Sequence, residues 1–176
     1  MAVDLPALTQ DARLSYVLSC WQRWRDVHVW PAREDIDPLD LKTLLPNLFL
    51  LESIDSGRRF RFLLAGRIVR QNLGFELSQR HLDELFSGEQ LAQAEKPYRQ
   101  VIAGQGHYAV QHWLQRDRPV MEFRRLLLPL ATDRQHIDGI LGYGLYERLD
   151  GNADSPVDHL NDPVSITMLA AHSVAL

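Results

Sequence analysis

Cysteine is almost missing from this chain: Cys20 is the single one in 176 residues. That excludes an intrachain disulfide framework and any CxxC metal or redox motif, and a reducing compartment is the simple reading. Lysine is nearly as scarce, with 2 against 17 arginines. The arginines are scattered, often beside acids, and the net charge is −4. There is no polycationic footprint, so no nucleic-acid partner is expected. No apolar run approaches the roughly 18–20 residues of a membrane helix, so no membrane insertion is expected. The opening stretch MAVDLPALTQDARL has neither a basic n-region nor a long apolar core. A secretory signal is not expected, and the protein reads as cytoplasmic.

What is present is ordinary for a folded domain. The chain is 45% hydrophobic and 24% charged, which suits one domain with an appendage and a substantial core. Leu14, Val17, Leu18, Trp21 and Trp24 fall at helical spacing, predicting an amphipathic helix over residues 8 to 26 with Thr9 or Asp11 at its start. Asp37-Pro38 places an N-cap before a proline at the first helical position, and Pro46 stops the segment. That pattern predicts a two-turn helix over 37–45. Residues 47–55 and 58–66 read as strands joined by Asp55-Ser56-Gly57, a hairpin with Phe60, Phe62 and Leu64 on one face. Short helical pieces broken by Gly74 follow, then a helix over 88–103 that Pro97 should kink or break.

Three more strands are expected at 107–115, 120–131 and 137–149, then a polar linker over 150–163 and a short apolar segment that docks on the domain or a partner. The expected divisions are residues 1–46 (N-terminal and connector helices), 47–149 (core) and 150–176 (linker and tail). The fold class is α+β: a five-stranded antiparallel sheet with helices on one face and a flanking N-terminal helix.

Two strands, a helical middle and three strands is the element order of the PAS fold. The resemblance is carried further by Trp21 and Arg25, Pro31-Ala32-Arg33, Asp35-Ile36-Asp37-Pro38 and Leu44-Leu45-Pro46. It continues through Arg59-Phe60-Arg61-Phe62, Leu64-Ala65-Gly66, Gly74-Phe75-Glu76-Leu77 and Phe123-Arg124-Arg125-Leu126-Leu127-Leu128-Pro129-Leu130. Over residues 14 to 147 the chain resembles a family of short bacterial, mostly alphaproteobacterial, proteins, the fifth PAS class. The resemblance implies a sensory or regulatory domain in signal transduction rather than an enzyme. It implies no agreed ligand, and no effector domain is expected here, so any signal passes through association.

Chemistry-bearing patterns are sparse. Arg33, Asp35 and Asp37 look catalytic at first, but Pro38 marks Asp37 as a cap. The seven histidines show neither HExxH nor HxH spacing with a nearby carboxylate, so no zinc site is expected. No serine lies in a GxSxG or SxxK context, and no glycine group precedes a helix as a phosphate loop does. By comparison with other PAS domains, residues 67–86 lack the photoadduct cysteine, and residues 88–103 lack an axial histidine for haem. The cofactor therefore stays unknown, with His81-ligated haem and non-covalent flavin left open.

Strand and helix alternation nominates Phe62, Leu64, Tyr98, Ile102, Val110, His112, Arg125 and Tyr143 as pocket residues for a small apolar or amphipathic ligand. Arg125 reads first as an exposed partner of nearby acids, and as the anchor for a carboxylate or phosphate if it faces inward. Tyr16, Trp21 and Trp24 are core or, as in PAS homodimers, an interface. Two alternatives stand beside the sensor: a cone-shaped enzyme using His112 or Asp117 as base, and a protein-interaction module without ligand.

Overall fold

The computed structural model describes residues 10–74, 76–151, 157, 164–174 and 176. Thr9, Phe75, His159 and most of the expected linker lie outside them. The first helix, α1 (Ala12–Arg25), starts where the Asp11 carboxylate accepts the Arg13 amide at 2.9 Å. Its stripe Leu14, Val17, Leu18, Trp21 and Trp24 is buried against the sheet. The Trp21 indole also donates to the Pro129 carbonyl at 2.8 Å, which fixes the helix to a central strand.

The expected helix over 37–45 does not form. Successive turns replace it, closed by Asp40 N–H to Asp37 O at 3.1 Å and Leu44 N–H to Leu41 O at 2.8 Å, and a 3₁₀ turn follows at Leu45–Asn47. Two turns between prolines are too short to propagate a helix, and burial of Leu41 and Leu44 holds the turns in its place. Asp37 keeps its local task, accepting the Leu39 amide at 2.8 Å.

Six strands follow in one antiparallel sheet, in the order β2-β1-β5-β4-β3-β6. They are β1 (Leu48–Ile54), β2 (Arg59–Ala65), β3 (Gly106–Gln115), β4 (Arg118–Leu130), β5 (Gly139–Arg148) and β6 (Ser165–Val174). Between β2 and β3 lie α2 (Arg67–Leu73), α3 (Leu82–Leu85) and α4 (Gly88–Ile102). The expectation of five strands was one short. The tail Ser165–Val174 pairs along the free side of β3 and takes up backbone groups that a five-stranded sheet leaves open. α4 runs through Pro97, which is buried with Tyr98 and Val101. Packing of that stretch against the sheet outweighs the hydrogen bond that proline removes.

The sheet separates two cores. On the α1 side Trp21, Leu126, Leu128, Leu141 and Tyr143 pack together. On the other side α2–α4 cover Phe49, Leu51, Phe60, Phe62, Leu127 and Ile140. β5 shows why: Leu141, Tyr143 and Leu145 point to α1, while Ile140, Gly142 and Gly144 point to the middle helices. The glycines leave space for aromatic rings, since a Cβ at Gly142 overlaps the Phe49 ring and one at Gly144 comes within 2.9 Å of the Phe123 ring.

Candidate functional site

Arg124 and Arg125 are neighbours on β4, so strand alternation sends them to opposite faces of the sheet. Arg124, on the α1 face, meets three carboxylates: Glu122 at 2.7 Å, Glu147 at 3.2 Å and Asp11 at 3.6 Å. Arg125, on the middle-helix face, has no carboxylate partner among the described residues. Its guanidinium lies over the Tyr98 ring at 5.4 Å and the Phe123 ring at 5.7 Å. Its side-chain hydrogen bond to the Tyr98 hydroxyl is long at 3.4 Å, and among the described residues its buried Nε has no partner. Ala109 on β3 and Gly144 on β5 flank it across the ladder, so no bulky side chain stands directly beside it.

The surroundings are aromatic and poor in charge. Phe123 stacks on Tyr146 with centroids 4.6 Å apart, and Trp113 packs against both. Burial raises the Tyr146 hydroxyl pKa well above its ordinary value, so it stays protonated. His107, one diagonal step from Arg125 on β3, is buried with Nε2 unpartnered. Burial first, then the Arg125 and His172 charges, push its pKa down to about 4. At neutral pH the ring is uncharged, and Arg125 is the one cation of this cluster.

The eight nominated pocket residues therefore do not share one space. Phe62, Tyr98, Ile102 and Arg125 lie on the middle-helix side. Val110 and Tyr143 belong to the α1-side core, and His112 shares their face, paired with Glu122 at 3.4 Å. His112 and Val110, nominated together, do share a face, but it is the one packed by α1. Burial within that core pushes the Tyr143 pKa up to about 12. Leu64 is exposed because β2 carries a bulge: Leu50 pairs with Leu64 and Leu51 with Phe62, so the extra residue Leu63 shifts the alternation.

His112, Arg125 and Tyr143 do not converge, and Asp117 sits exposed in the β3–β4 turn. The constellation of a cone-shaped enzyme is not assembled. Of the interface candidates, Trp21 and Trp24 are buried in the chain's own core and only Tyr16 is exposed. Arg33 lines a small cavity of about 90 Å³ with Leu63, Thr132 and Asp138. Sequence reasoning missed His107, Trp113 and Tyr146. The available signal was that residues opposite or diagonal to Arg125 share its face, but that requires knowing the β3–β4–β5 register.

A PAS domain family model matches residues 10–145. The chain belongs to the PAS domain family. Its β2-β1-β5-β4-β3 sheet and middle helices form the PAS core, with β6 added at the β3 edge. PAS domains are generally regulatory modules rather than catalysts. No curated protein is similar enough in sequence to match this one. Among the described residues no helix is long and apolar enough to cross a membrane.

Proposed function

We propose that this PAS domain is a regulatory sensor that binds a small organic monocarboxylate at Arg125, on the middle-helix face of its sheet. One observation carries the reading. Arg125 is held among aromatic rings with a buried N–H and no carboxylate to meet it, while Arg124 beside it has three. Arg125 is half-buried, its Nε is shielded from solvent without a partner, and a carboxylate presents two oxygens that match the planar fork of a guanidinium. Tyr98, Phe123 and Tyr146 favour a ligand whose body is apolar or aromatic. A single cation in the cluster favours a single negative charge.

The same geometry supplies an output. Arg125 on β4 is joined to α4 through Tyr98, by the ring contact and the long hydrogen bond. An arriving carboxylate competes for that guanidinium and loosens or tightens α4 against the sheet. Binding is thereby coupled to the position of a surface helix.

The test is thermal unfolding of the purified protein titrated with acetate, hexanoate and benzoate, with inorganic phosphate in parallel. Benzoate or hexanoate is expected to raise the Tm of the wild type and to leave Arg125→Gln unchanged. If Arg125→Gln responds like the wild type, or no monocarboxylate shifts the wild type, the proposal fails. A response to phosphate alone also defeats it.

A further inference from the structure

Beside Arg125 a second polar group is buried and left without a partner. His107 is 6% exposed, and among the described residues nothing bonds its Nε2. Its ladder neighbours do not supply the bond. Leu127 on β4 is apolar, and the Ser173 hydroxyl on β6 donates instead to Gln105 Oε1 at 3.2 Å. A buried ring nitrogen left unpaired is destabilising, so the site is built for a group that arrives from outside the chain.

His107 stands one diagonal step from Arg125, because Ala109, two residues further along β3, is the direct partner of Arg125. Both face the middle-helix layer, where Leu127, opposite His107, is packed. Diagonal neighbours in an antiparallel pair are about 7–8 Å apart. Ala109, next to both, adds only a methyl group. Two hydrogen bonds of about 2.9 Å, with adjacent oxygens of one small molecule between them, span that distance.

Resting on the reading of Arg125 as a carboxylate site, we propose that the ligand is an α-hydroxy monocarboxylate, with its carboxylate on Arg125 and its hydroxyl on His107 Nε2. Charge selects the second group. Burial first, then the Arg125 charge, keeps the His107 ring neutral at neutral pH, its pKa pushed down to about 4. A neutral ring does not offset a second carboxylate, and an ammonium group placed there meets the Arg125 cation at short range. A hydroxyl carries no charge and both donates and accepts, so it suits either tautomer of the neutral ring. On the carbon next to the carboxylate it stays within the single diagonal step between the two residues.

Isothermal titration calorimetry of the full chain at neutral pH compares phenylacetate with the two enantiomers of mandelate, which differ from it by one hydroxyl. One mandelate enantiomer is expected to bind about ten-fold more tightly than phenylacetate. In His107→Leu that preference should vanish, with phenylacetate bound as in the wild type. In His107→Gln, whose amide also donates and accepts, part of it should remain. Nitrogen NMR of the unmodified protein needs no variant: mandelate should shift the His107 Nε2 resonance and phenylacetate should not. Phenylacetate binding as tightly as both mandelates overturns the inference and leaves the Arg125 carboxylate site standing. A preference that survives in His107→Leu, or an Nε2 resonance that answers both acids alike, also overturns it. Binding of neither acid overturns the carboxylate site itself, and this inference with it.

Discussion

His107 should make the protein measurably acid-sensitive in a window set by its burial. An ordinary histidine titrates near 6.5, and in the folded chain burial, Arg125 and His172 push this one down to about 4. The folded pKa is depressed, so between the two values the unfolded state binds a proton that the folded state refuses. Stability from this source is fully present above pH 6.5 and is lost as pH falls towards 4. A displacement of roughly 2.5 units at 1.36 kcal/mol per unit is about 3 kcal/mol across the window. That is a large share of the roughly 5–15 kcal/mol that holds a domain folded.

Urea unfolding followed by tryptophan fluorescence at several pH values between 7.5 and 4 measures it. The wild type should lose about 3 kcal/mol more over that range than His107→Gln, whose side chain does not titrate. The exposed carboxylates and His136 contribute equally to both proteins and cancel in the difference. If the two profiles run parallel within about 0.5 kcal/mol, His107 is not held neutral by burial and the argument is wrong.

Gly142→Ala places a methyl group into the Phe49 ring and should cost about 1–3 kcal/mol, read as a lowered Tm. Gly139→Ala, whose nearest contact is the Leu130 Cβ at 3.3 Å, should cost less. Asp35 joins two segments, accepting the Ala32 amide at 2.8 Å and pairing with Arg134. Among the described residues the Asp37 carboxylate accepts only the exposed Leu39 amide. Asp35→Ala is therefore expected to destabilise by about 1–2 kcal/mol and Asp37→Ala by about 0.5 kcal/mol in chemical denaturation. Equal losses would show that the Arg134 link contributes nothing.

Much of the architecture was legible because local patterns and tertiary structure agree. The α1 stripe and the hairpin at Asp55-Ser56-Gly57 each depend on a few neighbouring residues, and each appears as expected. Expectations failed where distant contacts overrule local preference. Asp37-Pro38 starts a turn series rather than a helix because Leu41 and Leu44 are drawn into the core. Pro97 does not end α4 because Pro97 itself and the residues just after it, Tyr98 and Val101, are buried against the sheet. Leu64 left its expected face through a single bulged residue, which composition does not announce.

By itself the sequence determined the family, the order of the PAS elements, and which strands alternate. These follow from residue spacing along the chain, and the backbone periods of 2 and 3.6 convert spacing into faces. Only the tertiary structure decided which face meets which layer. That assignment separated His112 and Tyr143 from Arg125, placed His107 beside it, and turned the tail into β6. A face has no identity until strand register and helix packing fix what covers it, and those depend on contacts between residues far apart in the chain.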